Sequence, residues 1–350
     1  MMRAAALVLL LALGCNATHI AAIAEESQGG SGGGSVTGEP FEPSTSSEGS
    51  TSVDTTATST EPDETTAEPC VVPSPLENCD AAADALRAPE ILCYDDVAAV
   101  DFASTDSDAW RRARELGNAH WVSTESEAVL VLSTGTLPSP GRVGEVNVEP
   151  GSGELSPTDN ANPDGVGLPA DIDPQSLGSA FSGQADDLLW FRFDATAPPG
   201  ARGYTIRVGF LSAAYPEDLQ ADVSDLFVWW HESEAFVGNL ATWQGRPASV
   251  AGLGPRLHAF RGEHPMLLRT GIDGTTGAPC EIEGESVDCP IGAASGWMNL
   301  RGPAEPGEAV HVVAALFDQG PQNRDTLVVL DGFRWECEGC SVGISCGLDE

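Results

Sequence analysis

The chain has 350 residues and a formal charge of −37, and all sixteen of its basic residues are arginine. Without lysine it has no side chain for a Schiff base, a P-loop phosphate contact or a lysine general base. So acidic a surface repels nucleic-acid phosphates and anionic headgroups, and suits cationic partners, divalent cations or a salty medium.

Residues 1–14 carry Arg3 and then an apolar run, 4–13, too short to span a bilayer as a helix. A positive start, a short apolar segment and small residues before a cut read as a secretory signal. Leu11-Ala12-Leu13-Gly14-Cys15 resembles the bacterial lipoprotein signal. The resemblance implies a cut after Gly14, acylation of Cys15 and attachment to the membrane through those acyl chains. Asn16 is not the aspartate that retains many lipoproteins on the inner membrane, so the implied address is the outer membrane and the cell surface. An ordinary secreted protein cut near Ala24 is the alternative.

Residues 16–69 are Gly, Ser, Thr, Glu and Pro with ten acids and no Lys or Arg. Such a segment cannot bury enough apolar surface to offset its ordering entropy, so residues 15–69 are expected to be a lipidated cysteine and a disordered tether. As a flexible coil it reaches roughly 40 Å. Gly29-Gly30-Ser31-Gly32-Gly33 matches G-x-S-x-G only in letters, because a nucleophile elbow needs a strand-to-helix turn.

The folded part is expected from Cys70. Its first portion, 70–119, reads as partly helical: 80–87, ended by Pro89, and 107–116, stopped by Gly117, with Ala109, Ala113 and Leu116 on one stripe. Beyond it, 128–134, 188–194, 204–211, 226–231, 310–317 and 326–335 are apolar, β-branched or aromatic, with Gly, Pro, Asn and Asp between them. No run of helices separates these segments. The expected fold is mainly β, an antiparallel β-sandwich over 120–350, with 138–185 as a long ordered insertion or loop.

Setting Cys15 aside, eight cysteines remain: Cys70, Cys79, Cys93, Cys280, Cys289, Cys337, Cys340 and Cys346. An even number in an oxidising compartment reads as disulfides, whose pairing sequence leaves open. Cys280 and Cys289 bracket a short polar loop and form the best local pair. Cys337-Glu-Gly-Cys340 has C-x-x-C spacing but lies beyond a strand-like run, where structural bonds are favoured over redox chemistry. Zinc is not suggested, because no histidine sits near these cysteines.

Asn160-Ala-Asn162-Pro-Asp164-Gly165, followed by Asp171, resembles an EF-hand calcium loop in its alternate oxygen side chains, its glycine and its closing acid. A plain turn-rich loop is the competing reading. Glu217, Asp218, Asp222, Asp225, Glu232 and Glu234 could supply a carboxylate pair for sugar hydrolysis, though acids are abundant throughout. Trp229, Trp230 and Trp243, with Tyr215, are candidates for stacking on a glycan or peptide. Period two puts Trp229 and Trp230 on opposite faces, so one is expected in the core and the other is the contact candidate.

Several blocks in order resemble the bacterial choice-of-anchor L domain. They are Leu130-Val-Leu-Ser-Thr-Gly135, Asp187-Leu-Leu-Trp-Phe-Arg-Phe193, Gly209-Phe-Leu-Ser-Ala-Ala-Tyr-Pro-Glu217, Ser224-Asp-Leu-Phe-Val228, Pro306-Gly-Glu308, the run 310–318 ending at Asp318, and Asp325-Thr-Leu-Val-Val-Leu-Asp-Gly-Phe-Arg-Trp335. The resemblance covers roughly residues 120 to 336. It implies an exported sandwich module with no assigned catalytic residues. Ala214 and Ser224 stand where the family pattern has an acid and an asparagine, while Asp225, Asp318 and Asp325 remain as candidate calcium ligands. Turn caps or partners for buried backbone are the other role open to them. The chain is therefore expected to be a non-enzymatic surface binding or adhesion module for an extracellular glycan or protein. An extracellular hydrolase and a purely structural envelope lipoprotein are the alternatives.

Overall fold

The structure is a computed structural model, and it describes residues 70–77, 79, 84–116, 120–123, 126–137, 160–260, 266–267, 270, 272, 279–282, 285–288, 292–319 and 324–349. Cys15 and the tether at 16–69 lie outside them. Twelve strands build two antiparallel sheets. They are β1 (Val97–Ala103), β2 (Trp110–Ala113), β3 (Val129–Ser133), β4 (Asp186–Thr196), β5 (Gly203–Ser212) and β6 (Leu226–Glu232). β7 (Val237–Asn239), β8 (His258–Phe260), β9 (Gly292–Pro303), β10 (Ala309–Asp318), β11 (Thr326–Glu336) and β12 (Gly347–Asp349) complete the set. Sheet I runs β1-β4-β10-β6-β7 and sheet II runs β8-β9-β5-β11-β3-β2, with β12 also pairing β9. The expected mainly β, antiparallel sandwich is what forms.

The apolar runs were long because most central strands are covered on both faces. Along β10, Val312, Ala314 and Leu316 enter the core between the sheets, while Val313, Ala315 and Phe317 enter a second cluster behind sheet I. Along β11, Val328 and Leu330 face the central core, and Leu327 and Val329 face a third cluster behind sheet II. Leu116 and Trp121 cover that rear face, and Trp121 Nε1 donates to the Met266 carbonyl at 2.9 Å. Behind sheet I the cover comes from the insertion, through Ile172, Leu177 and Ala185. Residues 160–185 are thus a packed layer with one 3-10 segment, Pro174–Ala180.

Two helical expectations fail. The 107–116 segment is not a helix: Trp110–Ala113 is β2, paired with Val129–Ser133 through Trp110↔Leu132 and Ala113↔Val129. A long-range ladder overrides the local stripe of small residues, because a short helix there has no partner for its apolar side. Of the 80–87 segment only the 3-10 turn Ala85–Arg87 is helical among the described residues, capped by Asp84 on Leu86 N. Since β1 and β2 are strands of the two sheets, no boundary falls at residue 119; one compact unit takes in Pro69–Cys280 and Ser286–Glu350.

Among the described residues three disulfides brace this unit: Cys70–Cys337, Cys79–Cys93 and Cys340–Cys346. The two cysteines of the C-x-x-C motif belong to different bonds, so they form no redox pair. The expected Cys280–Cys289 pair lies outside the described side chains. Disulfides of this kind mark an extracellular or surface protein.

Candidate functional site

The aromatic candidates do not form a platform. Trp229 is fully buried in the central core, where its Nε1 donates to Tyr204 Oη at 3.0 Å. Trp230 does point the other way, but the insertion covers that face and buries it as well. The expectation that one of the pair is a contact residue is therefore corrected. Tyr215 and Trp243 are partly buried and pack against the central core.

The calcium-like loop is used internally. Asn160 Nδ2 donates to the Ser133 and Thr134 carbonyls, and Asn162 Oδ1 accepts from Thr105 N at 2.7 Å and from Ser104 Oγ at 3.0 Å. Asp164 Oδ1 accepts from Asp187 N, whereas Asp171 pairs with Arg192 at 3.3 Å. Asn160 and Asn162 are buried, and each tethers the insertion to neighbouring segments.

Asp225, Asp318 and Asp325 are brought together. Asp318 ends β10, Asp225 precedes β6 and Asp325 precedes β11, and all three are buried. Burial raises the Asp225 pKa well above the carboxylate range, and the charge of Asp318 and a hydrogen bond with it raise it further. Asp225 Oδ2 is shielded from water and has no hydrogen-bond partner. A Cβ on Gly135 would lie 2.0 Å from Asp325 Oδ2, so that position needs glycine for the close approach. Among the described residues no three His, Cys, Asp or Glu side chains form a metal-binding group.

A second acidic feature lies on the rear face of sheet I. Outward residues run Leu226, Val228, Trp230 and Glu232 along β6, and Phe317, Ala315, Val313 and His311 along β10. The apolar members lie under the insertion; the charged members emerge beyond it. Register sets His311 between Asp194 on β4 and Glu232 on β6. These residues line an open cleft of about 640 Å³ whose walls also carry Asp96, Asp171 and Glu234. His311 Nδ1 is 2.5 Å from Asp194 Oδ1, and its Nε2 is 3.8 Å from Asp171 Oδ2. Arg192, outward on β4, bonds Asp101 and Asp171 at 3.3 Å each and lies over the Trp190 ring.

Of the hydrolysis candidates, Glu232 and Glu234 line this cleft, while Asp225 belongs to the buried cluster and Asp222 is exposed elsewhere. Asp96, Asp194 and His311 were not singled out from sequence. No local spacing signals them, since strand register alone joins positions 117 residues apart.

No family model matches the chain, and no curated protein matches it. Among solved structures it is similar to the K2 cleaved adhesin domain of Lys-gingipain (Kgp), at 12% identity and a TM-score of 0.24 over 69% of this chain and 88% of that one. A likeness at that score bears on neither the site nor the activity.

Proposed function

We propose that the chain is a non-enzymatic binding or adhesion module of the choice-of-anchor L type, displayed on the bacterial outer membrane through acylated Cys15 and a flexible tether. One observation carries the binding reading: the rear face of sheet I is sealed by the insertion over half its length and then opens into the charged cleft around His311. A sheet face needed only for stability is covered or uniformly polar. This one changes character where an inserted layer stops, which leaves a walled, water-filled recess on a rigid support. The test is binding of the full chain to arrays of extracellular glycans and proteins. Retention that is lost in an Asp194→Asn/Glu232→Gln variant supports the reading, and retention unchanged by it opposes the cleft as the binding surface.

Calcium is a second element of the proposal, favoured by Asp225 Oδ2, a shielded acceptor without a donor beside Asp318. A hard cation would offset the mutual repulsion of these carboxylates, with carbonyl or water oxygens completing its shell. Calcium that leaves the melting temperature unchanged contradicts this, because a ligand specific to the native state raises it.

A further inference from the structure

We propose that the cleft on sheet I binds an extended polypeptide segment bearing arginine or lysine, with its cationic heads set against Asp194, Glu232 and Asp171. This rests on the reading of the cleft as the binding surface and names its partner.

Charge is the first argument. Asp96, Asp171, Asp194, Glu232 and Glu234 line the recess, and His311 is the one basic side chain among the lining residues described. Arg192 at its margin is already engaged by Asp101 and Asp171. An anionic ligand is repelled by such walls, and the net charge of −37 draws cationic chains toward the surface from a distance.

The spread of the charge is the second. No three of the acids and the histidine that line the cleft form a group that would hold a metal ion. Carboxylates distributed over β4, β6 and the segments beside them suit several heads on one chain. Because neighbouring strands lie roughly 4.8 Å apart, Asp194 and Glu232, two strands apart across β10, are separated by roughly 10 Å. Alternate side chains of an extended peptide are roughly 7 Å apart, and their long stems bridge the difference.

The third argument is the rim. Ala98 and Ala309 are exposed beside the cleft and Val237 is 57% exposed, so aliphatic stems of Arg or Lys find apolar surface on the way to the acids. β1, the edge strand of sheet I, borders the cleft through Ala98.

The test is calorimetric titration of the full chain with three probes: an alternating Arg-Ala decapeptide, its Glu-Ala counterpart and a neutral oligosaccharide. The Arg-Ala peptide is expected to bind, with affinity falling about tenfold between about 50 and 250 mM salt, while the Glu-Ala peptide does not bind. Asp194→Asn/Glu232→Gln should weaken binding about tenfold or more at unchanged melting temperature. Glu232→Gln/Glu234→Gln reports the same while leaving the His311–Asp194 contact in place. A control with two exposed acids outside the cleft neutralised, Asp222→Asn/Glu338→Gln, should change little. Equal weakening in the control, or no binding of the Arg-Ala peptide, overturns the proposal. Cleft-dependent binding of the oligosaccharide in its place overturns the cationic ligand but keeps the binding module. Loss of cleft dependence for every probe and on the arrays overturns both.

Discussion

Tyr204 Oη lies 2.9 Å from His231 Nδ1, and both side chains are buried between the sheets. Trp229 Nε1 donates to the same oxygen, so the phenol links the indole to the imidazole. Burial lowers the His231 pKa to about 4, and it raises that of Tyr204 beyond the usual phenol range. Tyr204→Phe strands a donor and an acceptor at once, so it should destabilise the fold by about 1–3 kcal/mol in denaturant titration.

His231 also sets an acid limit. Its folded pKa lies below the unfolded value, so the unfolded state binds more protons between pH 6.5 and about 4. Stability is fully present above the upper value and falls with pH through that window, by on the order of 3 kcal/mol. The check is urea unfolding of the wild type and of His231→Phe across the window. The acid slope should be shallower in the variant.

Asp225 acts in the opposite direction. Its pKa is raised in the folded protein, so its contribution is present at acid pH and is lost as pH rises above the unfolded carboxylate value. Asp225→Asn keeps the shape and removes the charge. Melted at pH 8 without calcium, the variant is expected to be at least as stable as the wild type, with the advantage gone in acid. With calcium, the wild type should gain melting temperature and Asp225→Asn should not.

Gly209 on β5 lies beneath Trp121, and a Cβ there would come within 2.3 Å of the indole. Gly209→Ala must displace the ring that covers sheet II, at about 1–3 kcal/mol. Thermal melting measures the loss, and quenching of tryptophan fluorescence should change with it.

The disulfides should differ in weight. Cys70–Cys337 closes a loop of 267 residues and Cys340–Cys346 one of 6. On chain entropy alone the first contributes about 6 kcal/mol and the second about 2. Paired serine substitutions, compared in guanidinium unfolding, should rank in that order.

Strands covered on both faces were legible as sequence. Residues 310–317 and 326–335 are apolar at nearly every position because two different cores claim alternate side chains. β9 was not legible: Gly292–Pro303 is rich in Gly, Ala and Ser, and its register shifts between Ala294 and Trp297, where Gly296 takes a positive φ. β2 was misread because three arginines among small residues fit a helix as well as a strand, and pairing with Leu132 decides between them. The gathering of Asp225, Asp318 and Asp325 was visible only through a family resemblance. The cleft was legible only in pieces: Glu232, Glu234 and Asp171 stood out as separate acids, while their meeting with Asp194 and His311 is set by register across three strands.

Hydrogen exchange of the full chain, with and without a surface or polypeptide that retains it, tests the central claim most directly. The account expects slowed exchange along Asp96–Ala98, around Ser233–Val237 and at the start of β10 near His311, segments that line the cleft. Protection confined to other segments, such as the Cys340–Cys346 loop with exposed Val342 and Ile344, would contradict it.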